Sequence, residues 1–454
     1  MRAFLSKRWP EISLVLFGCA LRLFFASGYD VRLGYDFYDH ARNIAWWSQH
    51  WQLPPIDWSR AAYHPPLYYV LGGALARMGV GFAGLGLLSL LLGFIRLGLL
   101  AVALLLYLPG QRLARIAALA LAAILPASLQ VDVMVTNEAL AATLAMLALV
   151  LLPLAFAEAA RTRWAGGLGL GAALGLAIIT KVSSLIILAA LGAAVGLALV
   201  REGDSGIPAR LRRLAPGLAA ALIALLGSSW YFAHCKAAYG KAFVTGFDSW
   251  RSRGSLIAAE KPYFARRPPG YFLGWSLDVY AFPFYPSAAL PEARFFPQLL
   301  ATTFADYYNY GLAPYPVSGA PAIRGNQRPL RPSVVMPAAM SVAGGTLIAL
   351  LVGVAWVAAC IHCWRRREHA LLGLLLVPLL AIAGQAHFAV MVANDAEGLI
   401  KGSYLQFAAA PLFALFGLAV EQSWRRRTLR PVFPLALLAL SGVAWFVCFC
   451  LFLA

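Results

Sequence analysis

Long apolar runs recur along this chain, separated by short polar stretches. They cover residues 11–27, 88–108, 114–130, 139–157, 165–180, 182–200, 216–235, 336–361, 370–390, 403–421 and 432–453. Most reach the ~17–25 residues that a helix needs to cross the hydrocarbon core of a bilayer. The pattern predicts an all-α polytopic membrane protein with about 11 transmembrane helices. Two longer segments interrupt it, 28–87 and 236–335. They divide the chain into a first helical module (1–235), a cap (236–335) and a C-terminal group of helices (336–454). The basic start and apolar core of residues 1–27 resemble a signal peptide, but no small-residue cleavage motif follows and Arg22 interrupts the core. A retained first helix is expected.

One apolar stretch, 66–80, is ambiguous by pattern alone, and charge decides it. If it crossed the membrane, every later loop would change sides. The Arg clusters at 112–115, 161–163, 201–213, 365–367 and 425–430 would then all lie outside. That inverts the bias of short cytoplasmic loops toward Lys and Arg. The stretch is therefore predicted to be a juxtamembrane helix at the outer interface, with Tyr68 and Tyr69 at headgroup level. The same bias accounts for the net charge of +18, because the Arg residues sit between apolar spans rather than on one soluble face. Nucleic acid is not an expected partner. At 61% hydrophobic and 12% charged, the composition lies outside the range of soluble globules.

The six cysteines imply no disulfide framework, since only Cys235 falls near an external loop. Cys360-Ile361-His362-Cys363 has the spacing of a metal pair, but no second pair accompanies it. No metal site is assigned. The 236–335 segment is rich in Pro and aromatic residues and too long for a bare connection, so a small outer cap with little regular structure is expected.

On this topology the polar residues converge on the outer face. Asp36, Asp39, His40, Asp57, Tyr63 and His64 lie in the first external segment. Asp132, Asn137 and Glu138 lie between the third and fourth spans, and Asp132 is expected to be solvated. Lys181 begins the sixth span. Asp395, Glu397, Lys401 and Tyr404 lie between the ninth and tenth spans or just inside the tenth. Asp306 lies in Thr302-Thr303-Phe304-Ala305-Asp306-Tyr307-Tyr308, and could bind sugar or form a loop core. Asp36 and His40 are four residues apart and would share a helix face. Carboxylates facing cations on one rim suit a reaction with a phosphate leaving group, where a base takes a proton and cations stabilise the departing charge. The bland alternatives are concrete. Lys181 and Lys401 could reach up to headgroups, and Arg22 and Arg96, near or inside spans, could form a buried structural pair with an external carboxylate.

Asp36-Phe37-Tyr38-Asp39-His40 resembles the Asp-Glu-x-x-Tyr/His motif in the first external loop of GT-C glycosyltransferases. Tyr63-His64-Pro65-Pro66-Leu67-Tyr68-Tyr69 resembles the family's Lys/His-Pro-Pro-Leu-x-Tyr motif, and Val135-Thr136-Asn137-Glu138-Ala139-Leu140 its second-loop Thr-Asp/Asn-x-x-Leu motif. Thr180-Lys181-Val182-Ser183-Ser184 and Lys401-Gly402-Ser403-Tyr404 match weaker family signals. The nearest resemblance is to protein O-mannosyltransferases and the lipid A aminoarabinose transferase. It implies a GT-C fold, with Asp36 as the catalytic carboxylate and Asp39 and Glu138 as further candidates. His64, Lys181 and Lys401 would lie near a lipid phosphate, and Asn137 and Glu138 would line a sugar site. Phe37 stands where relatives carry Glu, Asn137 where several carry Asp, and His64 where they often carry Lys. The second of these departures argues against a divalent metal, so no cofactor is expected.

A polyprenyl-phosphate sugar is the expected donor. No Gly-rich phosphate loop flanked by strand and helix is present to hold a nucleotide, and nucleotide sugars are normally absent outside the cytoplasm. The implied activity is a hexosyl- or pentosyltransferase with inversion, acting on a lipid, glycan or protein acceptor. The alternatives are an O-antigen-ligase-like glycan transferase and a transporter or flippase, although the latter would call for midplane polar groups and inverted repeats. A bias toward Ala, Leu, Gly and Arg suggests a bacterial inner membrane.

Overall fold

The computed structural model describes residues 2–157, 159–201, 207–245, 248, 262, 265–284, 294–308, 332–391 and 400–453. Among them there is no strand. The first half runs α1 (Arg2–Gly28), α2 (Phe37–His50), α3 (Leu67–Arg77), α4 (Phe82–Tyr107), α5 (Arg112–Ile124), α6 (Pro126–Val131), α7 (Asn137–Ala155), α8 (Ala160–Ile178), α9 (Leu185–Arg201) and α10 (Ile207–Tyr239). Three short helices follow, α11 (Pro269–Leu273), α12 (Asp278–Ala281) and α13 (Phe295–Phe304). The chain closes with α14 (Pro332–Arg366), α15 (His369–Met391), α16 (Ala409–Arg425) and α17 (Val432–Cys448).

Helices occupy all eleven stretches that the apolar pattern marks. Among the described residues, eight are long and apolar enough to cross a membrane by length and composition. The shorter ones include α5 with 13 residues and α9 with 17. The predicted span 114–130 is not one helix. Pro126 lacks the N–H that would continue the ladder, so α5 stops and a new six-residue helix begins with Pro in its first turn. Leucines and valines such as Leu226, Leu350, Val354 and Leu438 are more than 60% exposed on the outside of the bundle. Apolar surface of this extent suits contact with lipid.

Two large apolar clusters make up most of the interior. One joins α1, α4 and α5 to α13, α14, α16 and α17. The other joins α7 to α10 with α15. Against these, α2 and α3 lie as a pair. The buried residues of α2 recur as Phe37, His40, Ala41, Ile44 and Trp47, a single stripe at helical spacing. The stripe rests on α3, where Gly73 admits close approach: a Cβ there would meet that of Trp47 at 2.7 Å. At 11 residues α3 is about 16 Å long by its ~1.5 Å rise per residue, roughly half a hydrocarbon core. It is too short to span, as the charge argument requires.

Asp132 overturns its sequence expectation. It is fully buried rather than solvated, and it lies between the two span arginines. Its Oδ2 accepts from Arg22 Nε at 2.6 Å, and both oxygens accept from Arg96 Nη2 at 2.9 Å. Arg22 also donates to the carbonyls of Gly18, Ala122 and Ala123. The last two are carbonyls left open where α5 ends, so the arginine caps a helix that Pro126 interrupts. Gly93 makes room for the cluster, since a Cβ there would sit 2.5 Å from the Asp132 carboxyl carbon.

Candidate active site

The site begins at the entry to α2. Asp36 is one of three non-glycine residues with positive φ among the described residues, at φ 55° and ψ 24°. Left-handed backbone costs an L-residue roughly 1–2 kcal/mol, least for Asp and Asn. Asp36 also leaves the α2 N-terminus uncapped by its side chain. An Asp normally accepts an N–H there for about 1 kcal/mol. Instead its carboxylate turns away from the helix, and Oδ2 accepts from Lys401 Nζ at 3.1 Å. Its side chain stays 53% exposed, while that of Lys401 is 5% exposed. The carboxylate is hemmed in by protein yet open to solvent, as a group lining a concave site is. Burial alone would raise its pKa. The Lys401 ammonium outweighs that and holds the carboxyl down at about 2.

Lys401 and Lys181 occupy matching local positions. Each has extended backbone and precedes a 3-10 turn, Gly402–Ala408 and Val182–Ser184, which leads into an apolar helix, α16 or α9. The Tyr404 ring joins the two ammoniums, its centroid 5.1 Å from Lys401 Nζ and 4.5 Å from Lys181 Nζ. Lys401 also lies 4.6 Å from the Tyr35 ring. Lys181 donates to Glu138 Oε1 in direct contact. Both lysines therefore point into the protein and not up to headgroups. Burial pulls the Lys181 ammonium down to about 7, with the Lys401 charge adding to it, while the Asp36 charge opposes it.

The other predicted residues fall around this centre in different roles. His40 is buried, with Nδ1 2.8 Å from the Tyr69 hydroxyl. Burial lowers it to about 4, with Lys181 and Lys401 opposing its proton and Asp36 favouring it. His64 lies parallel to His40 at 6.1 Å between ring centroids. Burial, with Lys181 and His40, pushes it well below the ordinary value, so at neutral pH it supplies a hydrogen-bonding nitrogen and not the fixed charge that a Lys there would bring. Tyr63 packs on His64, and its carbonyl accepts from the Tyr231 hydroxyl at 2.6 Å. Asn137 is buried, and its Nδ2 donates to the Thr180 carbonyl at 3.3 Å, bracing the Lys181 turn. The same turn is held from the other side by Leu67 N–H, which donates to the Ile179 carbonyl at 2.9 Å. Asp39 accepts from the Arg60 N–H at 2.8 Å. Asp306 is fully buried and takes the place of a loop core. Asp395 and Glu397 lie outside the described residues.

Behind the site runs a set of polar contacts that the sequence did not announce. Six-residue α6 carries it. Gln130 accepts from the Tyr35 hydroxyl at 3.3 Å and donates to Asp306 Oδ1 at 2.9 Å. Ser128 donates to Gln406 Oε1 at 2.6 Å, and Gln406 Nε2 donates to the Gly402 carbonyl at 3.2 Å. Asp132 anchors the end of α6 on α1 and α4. One short helix thus ties Tyr35, the neighbour of Asp36, and the turn after Lys401 to the bundle. On its far side the Lys401 turn is fixed by Tyr308, which donates to the Ile400 carbonyl at 3.2 Å, and by Gly402 N–H, which donates to Thr302 Oγ1 at 3.0 Å. Two residues 365 apart in sequence are brought to one point in this way. The only sequence hint was the unbroken polar spacing Ser128, Gln130, Asp132 inside an apolar stretch.

Solved structures share the fold of this helical membrane bundle. Archaeal oligosaccharyltransferase AglB from Archaeoglobus fulgidus, in complex with an inhibitory peptide and a dolichol-phosphate, aligns at TM-score 0.55. Identity is 14%, and the alignment covers 98% of this chain and 56% of that one. The Archaeoglobus fulgidus oligosaccharyltransferase in complex with Zn and sulfate aligns at TM-score 0.52 and 15% identity, over 96% of this chain and 53% of that one. ArnT from Cupriavidus metallidurans bound to undecaprenyl phosphate gives TM-score 0.41 and 16% identity, over 94% and 80% of the two chains. The chain spans about half the length of the oligosaccharyltransferase structures it matches. No family model and no curated protein matches the sequence.

Proposed function

We propose that this chain is a membrane glycosyltransferase that moves a hexosyl or pentosyl group from a polyprenyl-phosphate donor to an acceptor hydroxyl, outside the cytoplasm and with inversion. The observation that carries the reading is the open Asp36 carboxylate beside Lys401, with Lys181 beyond the same Tyr404 ring. In the reaction the acceptor oxygen attacks the anomeric carbon and its proton passes to Asp36. The bond from that carbon to the phosphate oxygen breaks, and its electron pair leaves with the phosphate. Lys401 and Lys181 stabilise the charge that develops there. Neutral His64 offers a hydrogen bond. Holding donor and acceptor in line supplies much of the rate. The shared fold supports the reading, because the archaeal structure that carries it holds a dolichol-phosphate. The bacterial inner membrane suits the charge bias and composition.

A divalent ion does not suit the donor set. Divalent ions such as Mg²⁺ are held by several oxygen ligands, whereas Asp36 faces an ammonium. The chemistry proposed uses this chain's own cations, Lys401 and Lys181. The test is transfer from a panel of labelled polyprenyl-phosphate sugars in membranes containing the protein. Release of polyprenyl phosphate from at least one donor is expected. No release from any member of a broad panel would refute the assignment.

A further inference from the structure

Asp36 poses a chemical difficulty. A carboxylate paired with a buried ammonium is stabilised as the anion and is a reluctant proton acceptor. The group proposed as the base is thus quietened by the cation proposed to hold the phosphate. The same is true at the second lysine, where Glu138 is in direct contact with Lys181. In the protein without donor, each ammonium is already matched by one carboxylate.

Three features show how this matching could be exchanged. First, the second partners of both lysines are neutral rings, Tyr35 and Tyr404 for Lys401 and Tyr404 for Lys181. An aromatic face attracts a cation whatever anion lies on its other side. Second, the Asp36 side chain is half exposed, caps no helix, and among the described residues makes no protein hydrogen bond besides that to Lys401. It can leave the lysine for little cost. Third, the incoming group brings negative charge of its own to the ammoniums. A polyprenyl-phosphate sugar is a phosphodiester with one negative charge. The polyprenyl phosphate left after transfer is a monoester that carries nearly two near neutral pH.

We propose that the donor phosphate displaces Asp36 from Lys401 and Glu138 from Lys181, so that Asp36 is released to act as base only once the donor is bound. This rests on the reading of the site as a lipid-phosphate site. The consequence is a compulsory order, donor first and acceptor second. An acceptor that arrives early meets a carboxylate held by lysine. A second consequence is that the product, with its extra charge, matches two ammoniums better than the donor does and inhibits the enzyme.

The experiment is binding of undecaprenyl phosphate to the full chain in nanodiscs, for wild type, Asp36→Asn, Glu138→Gln, Lys401→Met and Asp57→Asn. If the carboxylates compete with phosphate, Asp36→Asn binds about tenfold more tightly than wild type, near 1.4 kcal/mol. Glu138→Gln tightens in the same direction, which keeps the test alive should Asp36→Asn fail to fold. Lys401→Met weakens binding tenfold or more. Asp57→Asn, an exposed carboxylate on the same external segment, stays within twofold. Equal or weaker binding by both carboxylate variants overturns the exchange while leaving the lipid-phosphate reading intact. An equal gain in Asp57→Asn also overturns it, since the effect would then be general charge. Absence of binding by wild type and every variant overturns the lipid-phosphate reading, and the exchange with it.

Discussion

Two ion clusters in this molecule are built to different ends. Around Asp132 both carboxylate oxygens are taken, the group is fully buried, and Arg22, one of the two arginines that hold it, also bonds three backbone carbonyls. Around Asp36 one oxygen is taken, half the side chain is open, and the ammonium is otherwise faced by rings. A charge locked from every side cannot change partners and serves the fold. A charge held by one contact at an open rim can change partners, as the proposed chemistry requires. The contrast also separates residues of one type: Asp132 and Asp36 both resembled loop carboxylates by sequence position.

The sharpest way to break the contrast is to remove each acid in turn. Asp132→Ala leaves two arginines without their shared counter-ion in an apolar interior. Breaking a buried pair in this way costs about 3–5 kcal/mol, and the expected outcome is loss of folded protein, measured by yield and thermal unfolding in detergent. Asp36→Asn should stay folded, because the half-exposed Asp36 side chain packs little and the Asn carbonyl still offers Lys401 an acceptor. Its transfer rate should fall by about 10²–10⁴, the usual range for removal of a general base. If Asp36→Asn unfolds the protein and Asp132→Ala does not, the two clusters have been assigned in reverse.

Gln130→Leu tests the link between them. It leaves the Tyr35 hydroxyl and Asp306 without this partner, at a cost of about 1–3 kcal/mol in stability. If α6 positions Asp36, kcat should also drop roughly tenfold, or about 1.4 kcal/mol of barrier, with KM for the donor little changed. A stability loss with unchanged kcat would make Gln130 a packing residue only.

Two smaller effects follow pH. His40 is neutral and buried, with its pKa lowered by burial to about 4. Between the unfolded value of ~6.5 and about 4, the unfolded chain binds more protons than the folded one. Stability should therefore be full above that window and fall by about 3 kcal/mol as pH drops through it. His40→Leu should flatten the slope in thermal unfolding scans. Lys181, lowered by burial to about 7, is partly neutral above that pH in the free protein. A bound phosphate favours its charged form, so phosphate binding at pH 8 should take up protons. Titration in buffers of different ionisation heat measures that uptake, and Lys181→Met should abolish it.

The sequence made the polar rim legible because the order of apolar spans and Arg-rich loops groups these polar residues on one side. It therefore placed Asp36, Lys181 and Lys401 together, and resolved 66–80 as a non-spanning helix from charge alone. It could not place Asp132, because a carboxylate at the end of a span reads the same whether it meets water or an arginine from another helix. The break at Pro126 was visible as a residue but was absorbed into an apolar run, and with it went the role of α6. His64 was read from type and not environment. Its neutrality comes from burial and from Lys181, which lies far away in sequence. Tyr35 stood beside the central aspartate throughout, yet nothing local marks a ring that will face an ammonium from residue 401.

The central claim is that Asp36 and Lys401 form a reaction centre and not a structural bridge. Exchanging them tests it directly, by assaying sugar transfer from polyprenyl phosphate in the Asp36→Lys, Lys401→Asp double variant alongside its thermal unfolding. The charges still attract in the exchanged pair, so the protein is predicted to fold, with no transfer above background because base and phosphate clamp have traded places. Recovery of transfer to near the wild-type rate would contradict the claim and make the pair a brace for chemistry done elsewhere.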